Sequence, residues 1–251
     1  MAGFQAMRHQ DDVNHITGHV HFLAFFLNPG RTIITMHDCE RLMSSDWGWF
    51  KKLVYKWLYF KWPGRYCRFV TTISEESRKN LIEYGEVPAK KVRVIPDGVD
   101  ARFRPLGLNE VQKRDLLQNP FGKKTVLHIS VLQSNKNIER LLLALRGLNV
   151  KLVRVGGFTE AHMNLIRENH IDFIQFKHVD IESLVRIYNA GDCLAFPSLV
   201  EGFGLPVIEA QACGCPVVTS NISSLPDVAG DSAILANPFS VESIREAIIR
   251  V

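Results

Sequence analysis

Phe196-Pro197-Ser198-Leu199-Val200-Glu201-Gly202-Phe203-Gly204-Leu205-Pro206-Val207-Ile208-Glu209-Ala210 is the stretch from which the rest of the chain can be read. The apolar run ending at Phe196 predicts a buried strand. A helix opens at Leu205, with Pro206 in the first turn, where proline is tolerated. The loop between them carries Glu201, Gly202 and Gly204. Glycines let the backbone approach a ligand closely, and the free N–H groups of a helix start favour a diphosphate. Gly202, Phe203, Gly204 and Leu205 are therefore candidate phosphate contacts. Glu201, just ahead of the helix, can reach sugar hydroxyls beside that phosphate. Glu209, farther along the helix, can accept both hydroxyls of a ribose, as acidic residues do in other nucleotide sites.

On both sides of this block, short β-branched runs alternate with stretches of helical period. That is the βαβα pattern of a mostly parallel sheet covered by helices. In the second half the expected strands are 124–130, 150–155, 171–176, 192–196, 216–220 and 233–235. Helices are expected at 135–146, 160–170, 181–190, 205–213 and 240–251. In the first half strands are expected at 31–36, 67–73 and 91–95, with a long helix over 49–62. A further helix, capped by Ser74, runs to residue 84. The turn cluster Pro96-Asp97-Gly98-Val99-Asp100 and a polar helix near 109–117 follow. The domain boundary is expected at about residue 105, giving domains 1–105 and 106–251. Ligands of such sheets sit outside the carboxyl ends of the strands.

The totals set limits on function. Hydrophobic residues make up 46% of the 251 and charged residues 22%, an ordinary globular balance. A net charge of +4 implies no nucleic-acid partner. No apolar run reaches membrane-spanning length, and the first fifteen residues lack the apolar core of a signal peptide. Cys39, Cys67, Cys193, Cys213 and Cys215 are odd in number and irregular in spacing, which argues for buried thiols in a reducing cytoplasm rather than a disulfide framework. No Asp-x-Asp cluster follows a strand as a metal site of this kind would require. Gly156-Gly157, after the strand 150–155, reads as a phosphate or nucleotide loop, but no Gly-x-Gly-x-x-Gly fingerprint accompanies it, which disfavours a dinucleotide oxidoreductase.

Two glutamates eight apart around Gly-Phe-Gly-Leu-Pro, followed by Glu209-Ala210-Gln211-Ala212-Cys213-Gly214-Cys215-Pro216-Val217, resemble the retaining glycosyltransferases of the GT-B class known as family 4. The resemblance extends over nearly the whole chain. It includes Thr72-Ile73-Ser74, the stretch Val92-Arg93-Val94-Ile95-Pro96-Asp97-Gly98, the pair Lys136-Asn137, the stretch Tyr188-Asn189-Ala190-Gly191-Asp192 and Ser224-Leu225-Pro226-Asp227. It implies an α/β GT-B fold in which two Rossmann-like domains face a cleft. The first domain is expected to be incomplete, since the family pattern starts at about Asn14 and stops within the last helix. It also implies transfer of a sugar from a nucleoside-diphosphate sugar to a sugar or lipid-linked acceptor, with the anomeric configuration retained and no metal or other cofactor.

By the same resemblance, Lys136 opens a helix beside the cleft and neutralises the diphosphate. The arginine that the family pairs with it six residues earlier is replaced here by Ser130. His37 stands at the end of a strand near the donor sugar, with Asp38 beside it. Gly156 belongs to the donor loop, and Val179, after His178, borders the nucleotide base, although Lys177 stands near where the family has glycine. Glu201, His37 and Lys136 are the expected catalytic residues. The competing readings are a catalytically inactive nucleotide-sugar-binding remnant and a nucleotide-sugar epimerase on the same architecture. A phosphorylase would need a pyridoxal-phosphate lysine, and none is identifiable.

Residues 47–68 contain all four tryptophans (Trp47, Trp49, Trp57 and Trp62), together with Phe50, Tyr59, Phe60 and Tyr66. Interleaved are Lys51, Lys52, Lys56, Lys61, Arg65 and Arg68. This composition fits two structures, a helix lying in the inner face of a membrane or a core helix with snorkelling lysines.

Overall fold

The computed structural model describes residues 2–43 and 47–251. It divides the chain into two compact units, Met1–Asp97 and Gly98–Val251. The division falls in the expected turn cluster, ahead of residue 105.

The first unit is built on a parallel sheet of four strands in chain order: β1 (Asn14–Ile16), β2 (Thr32–Thr35), β3 (Phe69–Thr72) and β4 (Val92–Val94). Its core gathers Ile16, Ile34, Met36, Phe60, Val70, Leu81 and Val92. Ser74 caps the helix Glu75–Glu83 as expected, its hydroxyl accepting from Ser77 N at 3.0 Å. The long aromatic helix is present but not uniform. Residues Trp49–Lys56 are α-helical, Trp57–Lys61 form a π-turn and Trp62–Tyr66 return to α. Its inner side presents Tyr55, Tyr59 and Phe60, the last fully buried. Lys56 and Lys61 both pair with Glu86, at 2.5 and 2.6 Å, holding its carboxyl down to about 2. Trp49 and Phe50, by contrast, are 77% and 64% exposed, and Leu53, Val54, Trp57, Leu58, Trp62 and Tyr66 are exposed with them. The helix thus has two apolar sides, one packed into the core and the other turned to solvent. No helix among the described residues is long and apolar enough to cross a membrane.

The second unit is a six-stranded parallel sheet. Its strands are β5 (Lys124–Ile129), β6 (Val150–Val155), β7 (Asp172–Phe176), β8 (Cys193–Phe196), β9 (Val217–Ser220) and β10 (Ala233–Ala236), in the order β10-β9-β8-β5-β6-β7. Each expected strand appears within a residue or two of its predicted bounds. Side chains alternate between two buried clusters. Leu127, Ile129, Val153, Val155, Leu194 and Phe196 face one helical layer. Val126, Leu152, Cys193, Ala195 and Val218 face the other. Burying each large apolar side chain contributes about 1.5–3 kcal/mol, so the doubly covered sheet is the rigid part of the unit. The order places the switch point between β5 and β8, where the chain changes its direction of winding, the place at which sheets of this kind bind their ligands.

Candidate functional site

The loops leaving β5 and β8 meet at that switch point. Lys136 lies on the first and Glu201 on the second, and Lys136 Nζ stands 2.6 Å from Glu201 Oε1, each side chain only 12% exposed. The ammonium is also 5.8 Å from the Phe196 ring centre. Lys136 does not open a helix as expected. It ends a short 3-10 turn, Ser134–Lys136, and the helix proper begins at Ile138. The reason is Asn137, whose backbone sits at φ 57 in the left-handed region, which asparagine tolerates better than most residues. The buried side chain of Asn137 donates to the carbonyls of Pro197 and Pro238, at 2.9 and 2.8 Å.

The β8 loop is fastened along its length. Leu199 N donates to Asn135 O at 2.8 Å, and Asn135 Nδ2 donates to Val200 O at 3.1 Å. Ser220 Oγ donates to Ser198 O at 2.6 Å. Ser223 Oγ accepts from Glu201 N at 3.0 Å, and Ser224 Oγ lies 2.7 Å from Phe203 O. Ser223 itself sits at φ 63, a conformation that costs about 1 kcal/mol or more and that these contacts sustain. Gly204 ends the loop at φ 117, and a Cβ there would stand 2.7 Å from Leu225 Cδ2. The helix Leu205–Ala212 then starts with no side-chain cap; Pro206 has no N–H to donate, and Val207 N donates to Gly204 O at 2.9 Å. Phe203 is buried and anchors the loop, while Leu205 is exposed.

Glu209, on the same helix, is half-buried, and its Oε2 accepts from Tyr188 Oη at 2.8 Å. Burial pushes its carboxyl above the ordinary range, with the Tyr188 bond opposing.

Ser130 and Gly156 are neighbours at the ends of β5 and β6. Gly156 has φ 126, and a Cβ there would collide with the Ser130 carbonyl and come within 2.7 Å of Arg154 Nη2, so only glycine fits. Beneath them lies a feature that sequence reading missed, the fully buried Arg154. Its guanidinium donates to the carbonyls of His128 (3.2 Å), Val155 (2.6 Å) and Gly157 (3.2 Å). Burial alone lowers its pKa to about 10. His128 is buried beside it, held neutral at about 3 by burial and the nearby guanidinium. A charged residue inside a predicted strand gives no sign that it tethers loop carbonyls.

Val179 follows β7 and packs partly buried against the core. His37 belongs to the first unit, just beyond β2. Its Nε2 lies 3.0 Å from Thr17 O. A carbonyl only accepts, so Nε2 donates to it, which leaves Nδ1 for a ligand. All five cysteines are buried.

With this geometry established, the comparisons with known proteins are specific. Residues 111–251 match the family model described as Glycosyl transferases group 1. Residues 4–103 match the one described as Glycosyltransferase Family 4. The chain is 29% identical over 201 residues to O-antigen chain mannosyltransferase B of Escherichia coli, covering 73% of this chain and 51% of that protein. It is 27% identical over 222 residues to O-antigen chain mannosyltransferase RfbU of Salmonella typhimurium, covering 86% and 59%. The chain therefore spans little more than half the length of these relatives. A glycosyltransferase structure from Rickettsia africae superposes with a TM-score of 0.78 at 20% identity, covering 99% of this chain and 68% of that one. Anabaena Alr3699/HepE in complex with UDP and glucose gives 0.74 at 20%, covering 98% and 69%. These likenesses show the fold, the α/β GT-B class.

Proposed function

Because the chain belongs to the glycosyl transferases group 1 family, we propose that it moves a sugar from a nucleoside-diphosphate donor to a hydroxyl of a sugar or lipid-linked acceptor, with retention at the anomeric carbon. The observation that carries this reading is the Lys136–Glu201 pair at the mouth of a glycine loop and an uncapped helix start. The mannosyltransferases among the relatives support a hexose donor and a role in polysaccharide assembly.

In this reaction the acceptor oxygen bonds to the anomeric carbon as the bond from that carbon to the diphosphate oxygen breaks. The acceptor proton passes to a phosphate oxygen on the same face, so the products are glycosylated acceptor and nucleoside diphosphate, and no protein nucleophile takes part. Lys136 and the amides at 202–205 meet the charge growing on the leaving group, and we assign that task to no metal or cofactor. Donor binding exchanges the partners of the resting ion pair. The ammonium turns to phosphate and the carboxylate to sugar hydroxyls. Glu209 takes the ribose, Ser130 and Gly156 the phosphate side, and Val179 the edge of the base.

The reaction is assigned to the cytoplasm, at the inner face of the membrane. Support comes from the exposed Trp49, Phe50, Trp57 and Trp62, flanked by the cations Lys51, Arg65 and Arg68. Aromatic rings settle at headgroup depth and cations are drawn to anionic lipid.

The test is thermal stability against UDP, GDP, ADP and their sugars, with Glu209→Ala as control. One base should raise the melting temperature of the wild type and not of the variant. No shift with any nucleotide would refute the donor site. Interconversion of donor sugars without acceptor would replace the transferase by an epimerase.

A further inference from the structure

We infer that Tyr188 is a positioning residue of the donor site, its phenol holding the Glu209 carboxylate in the orientation that presents its remaining oxygen to the ribose. The inference rests on Glu209 being the ribose carboxylate. Tyr188 comes from a different helix, Ile181–Ala190, so the 2.8 Å bond to Glu209 Oε2 is a tertiary contact rather than a consequence of helix geometry. No other partner engages the Glu209 side chain among the described residues, which leaves Oε1 for a ligand.

A free glutamate side chain samples many rotamers, and ordering it on binding costs affinity. A rigid donor removes most of that freedom before the ligand arrives. Tyr188 is rigid for stated reasons. It is fully buried, and Phe103 packs edge-on against it at 5.9 Å. Phe103 lies on a segment tied to the same helix, through Leu106 N to Asn189 Oδ1 at 2.7 Å and Asn189 Nδ2 to Arg104 O at 3.0 Å. The phenol remains a donor because burial and the Glu209 charge push its pKa well above the ordinary value. The other titratable groups bearing on the pair are the buried thiols of Cys213 and Cys215, both raised by burial, so no competing cation or acid sets the carboxylate.

The experiment is calorimetric titration of wild type and Tyr188→Phe with UDP, GDP and ADP, and with the 2′,3′-dideoxy form of whichever binds. Tyr188→Phe keeps the ring and its packing, and melting curves establish that both proteins are folded. The variant is expected to bind the ribonucleotide about tenfold more weakly while its affinity for the dideoxy analogue is unchanged. Equal losses for both ligands would show a merely structural role, and no loss for either would show that Glu209 is held without the phenol. Each outcome overturns the inference. A wild type that binds none of the three diphosphates would instead overturn the donor site, and this inference with it.

Discussion

Replacing Glu201 by glutamine removes one charge from a pair set 2.6 Å apart with 12% exposure on each side. At an effective dielectric near 20, two unit charges at that distance attract by roughly 6 kcal/mol. Desolvating both ions offsets most of it, and with a neutral amide facing the ammonium the net loss is about 2 kcal/mol. For a chain of 251 residues that corresponds to a fall in melting temperature of about 4–8 °C. Ligand binding should move the opposite way. In the wild type a diphosphate must first draw Lys136 away from Glu201, whereas in Glu201→Gln the ammonium is already unpaired. Affinity for the nucleoside diphosphate is therefore expected to rise about tenfold, while sugar transfer falls because the donor hydroxyls lose their acceptor. Differential scanning calorimetry and isothermal titration read the two effects on the same samples. A variant that melts with the wild type and binds diphosphate no more tightly would refute the idea that the resting pair stands in for the ligand.

Three further outcomes are expected. Gly156→Ala forces a side chain into φ 126 and against the Ser130 carbonyl, at a cost of about 2–4 kcal/mol in urea denaturation. At Gly157 a Cβ meets Leu132 only at ordinary contact distance, so Gly157→Ala should cost far less, and equal losses would count against the close approach. Trp49→Ser with Phe50→Ser should lower partition to anionic vesicles at least about tenfold. Glu86→Gln, which releases Lys56 and Lys61, should raise it about fivefold, and insensitivity of flotation to both changes would exclude this helix as the contact. Because burial holds the Glu209 carboxyl above the ordinary range, ribonucleoside-diphosphate affinity should be fully present above that raised pKa. It should fade as pH drops through it, earlier than for an ordinary glutamate, and Glu209→Gln should abolish this acid limb.

Much of the fold is legible because each strand of the second unit is a β-branched or apolar run bounded by turn residues, and each helix keeps its 3.6-residue period. β1 escapes notice because Asn14–Ile16 is too short for any alternation to show. The π-turn at Trp57–Lys61 is hidden because an aromatic-rich helix reads the same with or without one extra residue per turn. Glu201, Glu209 and Lys136 are visible as residue types at telling positions. The helix start near Lys136 is misjudged because Asn137 takes the left-handed conformation to reach carbonyls 60 and 101 residues away. Tyr188 reads as core, and its bond to Glu209 exists only once two helices pack together. Ser130 looks like a missing cation, and the buried Arg154 beneath it, which tethers the carbonyls of His128, Val155 and Gly157, leaves no trace in local spacing.

The fastening of the β8 loop has a consequence in time. Its carbonyls and amides are held by Asn135 and Asn137 on one side and by Ser220, Ser223 and Ser224 on the other, and Asn137 also reaches Pro238. A chain emerging from the ribosome can complete β5, β6 and β7 while this loop still lacks half of its anchors. The loop can take its final shape only after residue 224 is synthesised, and its Asn137 clasp closes only after Pro238 follows. Because such long-range closures come late in folding, this loop should be among the last parts to gain hydrogen-exchange protection, and a nascent chain stopped short of residue 220 would carry Glu201 and Lys136 without the fastenings that hold their loop.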